Sequence, residues 1–164
     1  MHLALFPKPE EIFADDPAPV LDEWKKLFEI RDAALRKLEQ ERQTKRIGKG
    51  LEADVLIEAS GEALSLLQQG HTLSGLKEFL NVSGVRVKEY EYTDPVPQVR
   101  ESEVILPSLG GHIEISALPA SGHKCARCWN YMPVVADYGA WHDVCTRCHD
   151  ALEEMGVAKP EAAS

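Results

Sequence analysis

Hydrophobic positions along the chain follow three successive patterns. Over about 20–46, Leu21, Trp24, Leu27, Phe28, Ala34, Leu35 and Leu38 recur at helical spacing with charges between them, which predicts one long amphipathic helix. Gly48 and Gly50 are expected to close it, and Lys45 and Arg46 suit the negative end of its dipole. The period then drops to two. Leu51, Ala53, Val55 and Ile57 alternate with Glu52, Asp54, Leu56 and Glu58, the pattern of a half-buried strand. Short helices are expected over 62–69 and 74–80, separated by Gly70. Alternation returns over 82–92 and 111–118, with a proline-containing connection between those two strands. Four of the ten prolines, Pro7, Pro9, Pro17 and Pro19, precede the long helix and mark an extended lead-in.

After Pro119-Ala120-Ser121-Gly122 neither period persists, and all four cysteines follow. The expected architecture is α+β: a long amphipathic helix, a small α+β junction domain and a C-terminal four-cysteine zinc ribbon. Residues 1–49 form the lead-in and helix, 50–120 the small domain, 121–156 the ribbon, and 157–164 a disordered tail.

Composition narrows the function classes. The chain has 164 residues, 44% of them hydrophobic, enough for a core. No apolar run reaches the ~18 residues of a membrane span. The first residues lack the basic flank of a signal peptide. The expectation is a soluble, cytoplasmic monomer with no membrane partner. A net charge of −9 argues against generic nucleic-acid binding. Charge is uneven, however. Between Arg31 and Gly50 seven basic residues face three acidic ones, which serves either an RNA surface or a solvated helix with i,i+4 pairs.

Cys125, Cys128, Cys145 and Cys148 form C-x2-C, sixteen residues, then C-x2-C. Two tight turns of this kind bring four sulfurs to one ion at about 2.3 Å, the geometry of structural zinc. Four protein ligands leave no open position for catalysis. Lys124, Arg127 and Arg147 lie beside the thiolates and can offset their charge. The segment has few aliphatic residues, so the metal is expected to supply much of its folding energy. Trp129 either stacks on a base or packs under the ribbon, whereas Trp141 is expected to pack. His123, His142 and His149 are expected at the surface.

Two long motifs carry a resemblance. Trp24-x-x-Leu27-x-x-x-Arg31, Ala34 and Leu38-Glu39-x-x-Arg42-x-x-Lys45-x-Ile47-Gly48-x-x-Leu51-Glu52-Ala53 resemble the last anticodon-domain helix of bacterial-type isoleucyl-tRNA synthetases and the strand after it. Gly122-x-Lys124-Cys125-x-Arg127-Cys128-Trp129-x-Tyr131, with Cys145-x-Arg147-Cys148, resembles their C-terminal zinc finger. His2-Leu3-x-x-Phe6-Pro7 is similar to their entry into this region. Gly50 stands where the family often has serine, and Asp143 where proline is usual. The family's two ATP-binding signatures have no counterpart here, so the chain by itself is expected to be non-catalytic and to resemble an excised region.

The resemblance implies one structural zinc per chain, docking of the anticodon arm of isoleucine tRNAs, and the remainder of a synthetase chain as partner. It points to Arg42, Lys45, Arg46 and Lys49 at the helix end, and Arg127, Trp129 and Arg147 in the ribbon, as tRNA contacts. Two rival readings are a DNA-binding finger of the formamidopyrimidine-DNA glycosylase type and an architectural, protein-binding zinc ribbon. The first needs an N-terminal proline followed by glutamate, where this chain has Met1-His2-Leu3. The second predicts no RNA affinity.

Overall fold

The computed structural model describes residues 7–8, 16, 18–91, 104, 106, 108–139 and 141–157. Most of the expected lead-in, the connection at 92–103 and the tail at 158–164 lie outside the described residues. Helix α1 spans Ala18–Gln43. It ends before Gly48 because Lys45 takes the left-handed conformation (φ 60°) and the Arg46 N–H donates to the Glu41 carbonyl at 3.0 Å. That six-to-one bond is a Schellman closure, made here by a lysine rather than a glycine. The Arg42 guanidinium donates to the Gly48 carbonyl, and the Glu52 carboxylate accepts the Gly48 N–H at 2.8 Å, so the turn after the helix is tied at both ends.

A 3-10 turn at Gly50–Glu52 leads into β1, Ala53–Ala59, whose residues alternate between buried and half-buried as their period-two sequence requires. Helices α2 (Gly61–Leu67) and α3 (Gly70–Leu80) then cross to β2, Gly84–Glu89, which pairs parallel to β1. Strand β3, Ile113–Pro119, lies antiparallel on the other side of β1, giving the order β2-β1-β3. The expected strand at 82–92 starts two residues late. Asn81 is left-handed (φ 55°) and closes α3, and Val82 drops into the core before extended backbone begins.

The main core lies between the sheet and the helices. Ile30, Ala33, Ala34 and Leu38 of α1 meet Ile57 and Ile115 of the sheet and Leu67, Leu76 and Leu80 of α2 and α3. The outcome for the predicted apolar stripe is mixed. Leu27, Ala34 and Leu38 are buried, whereas Leu21, Trp24, Phe28 and Leu35 are exposed. The apolar surface of α1 is wider than one packing face, and the small domain covers only part of it.

A second, smaller core holds the cysteine region together: Trp141, Val144 and the cysteines, with Met132, Val135, Tyr138 and Leu152 against them. Two short hairpins build it, β4 (His123–Lys124) with β5 (Tyr131–Met132) and β6 (Val135–Tyr138) with β7 (Trp141–Cys145), followed by helix α4, Thr146–Glu154. Gly122 enters this region at φ 98°, and a Cβ there would lie 2.4 Å from the Met132 carbonyl, so only glycine fits. Mixed helix and sheet, a long first helix and clustered cysteines together make the chain α+β with a ribbon-like end.

Candidate metal centre and nucleic-acid interface

The first pair of cysteines sits on the turn between β4 and β5. The Trp129 N–H donates to the Cys125 carbonyl at 2.9 Å, closing the loop that turns both side chains inward. The second pair spans the end of β7 and the first turn of α4, where Cys145 is the N-cap and Cys148 lies one turn on. The four sulfurs all fall within 4.8 Å of one another, and Cys128 Sγ is 3.9 Å from Cys145 Sγ. A tetrahedral ion with 2.3 Å bonds would separate its sulfurs by about 3.8 Å. The donor set therefore fits a thiolate-bound metal ion.

Burial pushes all four thiols up. At Cys125 the backbone N–H groups of Cys128, Cys145 and Arg127 outweigh it and bring the thiol down to about 6; the Cys145 N–H donates to Cys125 Sγ at 3.3 Å. Cys128 is also lowered, by the backbone and side-chain N–H groups of Asn130. Cys145 and Cys148 stay raised. Thiolate is the ligand form, and four thiolates in so small a volume need a cation at their centre. Arg127 contributes from outside, with one guanidinium nitrogen 3.7 Å from Cys148 Sγ and the other 4.0 Å from Met155 Sδ. The four cysteines can bind a metal ion.

Trp129 follows directly. Its backbone is left-handed (φ 65°), and the residue is 58% exposed. Lys49, from the turn after α1, places its Nζ 5.9 Å from the indole centroid, a cation–π contact across eighty positions of sequence. Trp141, at 8% exposure, packs in the small core. His123 and His142 are exposed, the latter paired with Asp137 at 3.2 Å, while His149 is half-buried and stacks on Tyr138 at 4.2 Å.

A relay through Ser83 fixes the cysteine region against the sheet domain, and one further bond ties down the segment that leads into it. The Tyr131 N–H donates to Ser83 Oγ at 2.7 Å, and the Ser83 hydroxyl donates to the Leu51 carbonyl. The Ala120 N–H donates to the Glu52 carbonyl at 2.7 Å. Gly50 belongs to the same junction, since a Cβ there would stand 2.8 Å from the Asn81 carbonyl. A crevice of about 110 Å³ follows the boundary, with Asn81 and Glu78 on one wall and Asn130 and Arg147 on the other.

The structure thus brings Lys49 and Trp129 together, and places Arg147 on the crevice with Asn130. Arg42 and Arg46 are exposed but ion-paired, to Glu39 and to Glu41 respectively, and Lys45 projects from the left-handed turn. Arg127 is turned toward the cysteines and α4. Sequence reasoning missed Ser83 and Asn130, which orient the turn that carries Cys128 and Trp129. Neither has a signal in the sequence, because each acts through a backbone contact.

No family model matches the chain. Among curated proteins it is 34% identical over 155 residues to the isoleucine--tRNA ligase of Carboxydothermus hydrogenoformans, covering 94% of this chain and 15% of that enzyme. It is 30% identical over 162 residues to the ligase of Staphylococcus epidermidis, again covering 94% and 15%. The ligase of Histophilus somni is 34% identical over 147 residues, with 88% and 14% covered. The chain spans about 15% of the length of the curated relatives it matches. Along nearly all of its own length, the chain is a homologue of the isoleucine–tRNA ligases.

Proposed function

We propose that the chain is the C-terminal tRNA-binding region of an isoleucyl-tRNA synthetase, a cytoplasmic monomer whose four cysteines hold one structural zinc ion. The metal would be bound by Cys125, Cys128, Cys145 and Cys148, all from this chain, with no position left for a reacting molecule. Its part is structural. It fixes the two turns from which Trp129 and Arg147 project. By this reading 1–49, 50–120 and 121–156 act as three units, of which the last depends on the ion.

The observation that carries the reading is the Lys49–Trp129 pair. An exposed indole on a strained backbone, with one ammonium over its face, is poised for a base on the remaining surface and a phosphate at the cation. Lys45 extends the positive edge at the end of α1, and Arg42 and Arg46 join it where a phosphate displaces Glu39 and Glu41. Arg147 lies on the crevice, and Arg127 is engaged with Cys148 and Met155. RNA loops offer splayed bases for such a platform, and we take the loop to be the anticodon arm of isoleucine tRNAs. Activation of isoleucine with ATP and its transfer to tRNA belong to the whole enzyme and not to this chain.

The experiment is a titration of zinc-loaded chain with isoleucine tRNA, a non-cognate tRNA and a duplex DNA at two salt concentrations. Preference for isoleucine tRNA supports the reading. Equal or tighter binding to the duplex would favour a DNA-binding finger, and no binding to either would leave an architectural ribbon.

A further inference from the structure

The four cysteines match in spacing and differ in exposure. Cys125, Cys145 and Cys148 are 0%, 1% and 1% exposed, whereas Cys128 is only half-buried. Their places in the fold account for this. Cys145 and Cys148 sit at the joint of β7 and α4, in the small core with Trp141 and Val144. Cys128 ends the first turn, directly before exposed Trp129, and solvent reaches this residue alone of the four.

Two of the buried sulfurs are also held by donors. Cys125 Sγ accepts the Cys145 N–H at 3.3 Å, and Cys148 Sγ lies 3.7 Å from an Arg127 guanidinium nitrogen. The third, Cys145 Sγ, stands 3.9 Å from Cys128 Sγ. A disulfide has its sulfurs about 2.05 Å apart, so this pair needs roughly 2 Å of approach. Oxidation of sulfur follows thiolate character and access. In a metal-bound set all four sulfurs are thiolates, so access decides, and it selects Cys128.

We propose that Cys128 is the oxidation site of the ribbon, attacked by hydroperoxides and then closed onto Cys145 as a disulfide that disassembles the metal centre. The Cys128 thiolate attacks one peroxide oxygen. The S–O bond forms, the O–O bond breaks, and the other oxygen leaves with the electron pair and takes up a proton. The sulfur, oxidised by two electrons while the peroxide is reduced, is then a sulfenic acid. The Cys145 thiolate attacks it, the S–S bond forms, and hydroxide leaves and is protonated to water. Cys125 and Cys148 remain, two ligands where a structural site uses four, and the ribbon loses the cation that holds its turns. A thiol reductant reverses the disulfide and restores the thiolates. Trp129 adjoins Cys128, so the same step dismantles the indole platform; this consequence rests on reading that platform as an RNA contact.

The test treats the zinc-loaded chain with hydrogen peroxide, follows released zinc with a colorimetric chelator, alkylates the remaining thiols and digests with trypsin. Cleavage after Arg127 and Arg147 leaves Cys128 and Cys145 together on peptide 128–147 and puts Cys125 and Cys148 on others. The expected product is that single peptide, unalkylated and lighter by two hydrogens, whereas every other pairing of two cysteines joins two peptides. A 1,3-dione present during oxidation should label Cys128 and prevent the disulfide. Cys128→His, which replaces the sulfur with a nitrogen ligand, should keep one zinc and slow its peroxide-driven release roughly tenfold. Affinity for isoleucine tRNA should fall roughly tenfold or more on oxidation and return with dithiothreitol and zinc. A different pairing, dione found first on another cysteine, or an oxidised chain that keeps its zinc or its tRNA affinity would overturn the inference. The peptide map of the wild-type chain decides the point even where Cys128→His takes up no zinc. An untreated chain that binds no tRNA removes the reading beneath, while the map and the zinc release still test the chemistry.

Discussion

Replacing Ser83 with alanine should loosen the cysteine region from the sheet domain without unfolding either. Ser83 is 7% exposed and its hydroxyl stands between the two parts, accepting from the Tyr131 N–H at 2.7 Å and donating to the Leu51 carbonyl. Each bond is worth about 1 kcal/mol net, and a buried group left unpaired costs about 1–3 kcal/mol. Tyr131 and Leu51 are only half-buried, so water can reach them once the ribbon moves. The total should therefore be about 1–2 kcal/mol, concentrated at the junction. Since 1.4 kcal/mol is roughly a factor of ten, amide exchange at Tyr131 should quicken about tenfold, while exchange in β1 keeps its wild-type rate. Metal stoichiometry should not change, because no ligand is touched. Equal exchange at Tyr131 in wild type and variant would refute the reasoning. A uniform acceleration through β1 would also refute it, by showing that Ser83 supports the sheet domain itself.

Ile30, fully buried between α1 and the sheet, should cost about 2–5 kcal/mol as Ile30→Ala, read from urea unfolding of the main core. Cys125→Ser, or removal of metal by a chelator, should collapse the amide spectrum of 121–156 and leave that of β1, β2 and β3 in place; loss of both would contradict two separate cores. Glu62 is held below its ordinary 4.5 first by the Lys26 ammonium, 2.7 Å away, and then by the Gly110 N–H. A lowered folded value contributes stability that is present above the unfolded pKa and lost as pH falls through the folded one. Glu62→Gln should therefore lower stability at neutral pH, where the contribution is present, and flatten the acid limb below about pH 4.5, where the wild type loses it; an unaltered acid limb would show that the pair is not linked to folding.

Periodicity was sufficient for α1 and β1, because each buries a face whose spacing matches its geometry; it found both crossover helices, but α3 begins at Gly70, the glycine expected to separate them, and not at 74. It misplaced element ends where a non-glycine residue turned left-handed. Lys45 and Asn81 stop their helices through six-to-one backbone bonds that no residue type announces. It also assigned Trp24 and Phe28 to the core stripe, since hydrophobicity marks that a surface is to be covered and not what covers it. The cysteine spacing was enough to anticipate a cluster, but the short strands β4–β7 and helix α4 gave no periodic signal. Their positions follow from the turns that present the sulfurs and from the Trp141 and Val144 core. The Lys49–Trp129 contact was beyond reach for another reason. It joins residues eighty positions apart, brought together by tertiary contacts such as the Tyr131–Ser83 hydrogen bond.

The account turns on Trp129 as a platform for a base and not as a support of the metal site. The most direct measurement is zinc content and isoleucine tRNA affinity on one and the same Trp129→Ala sample. Because the indole is exposed and supplies no ligand, one zinc per chain should be retained while tRNA binding weakens by about 1–3 kcal/mol, the loss of one stacked base. Zinc retained with unchanged affinity, or zinc lost together with the fold of the ribbon, would contradict it.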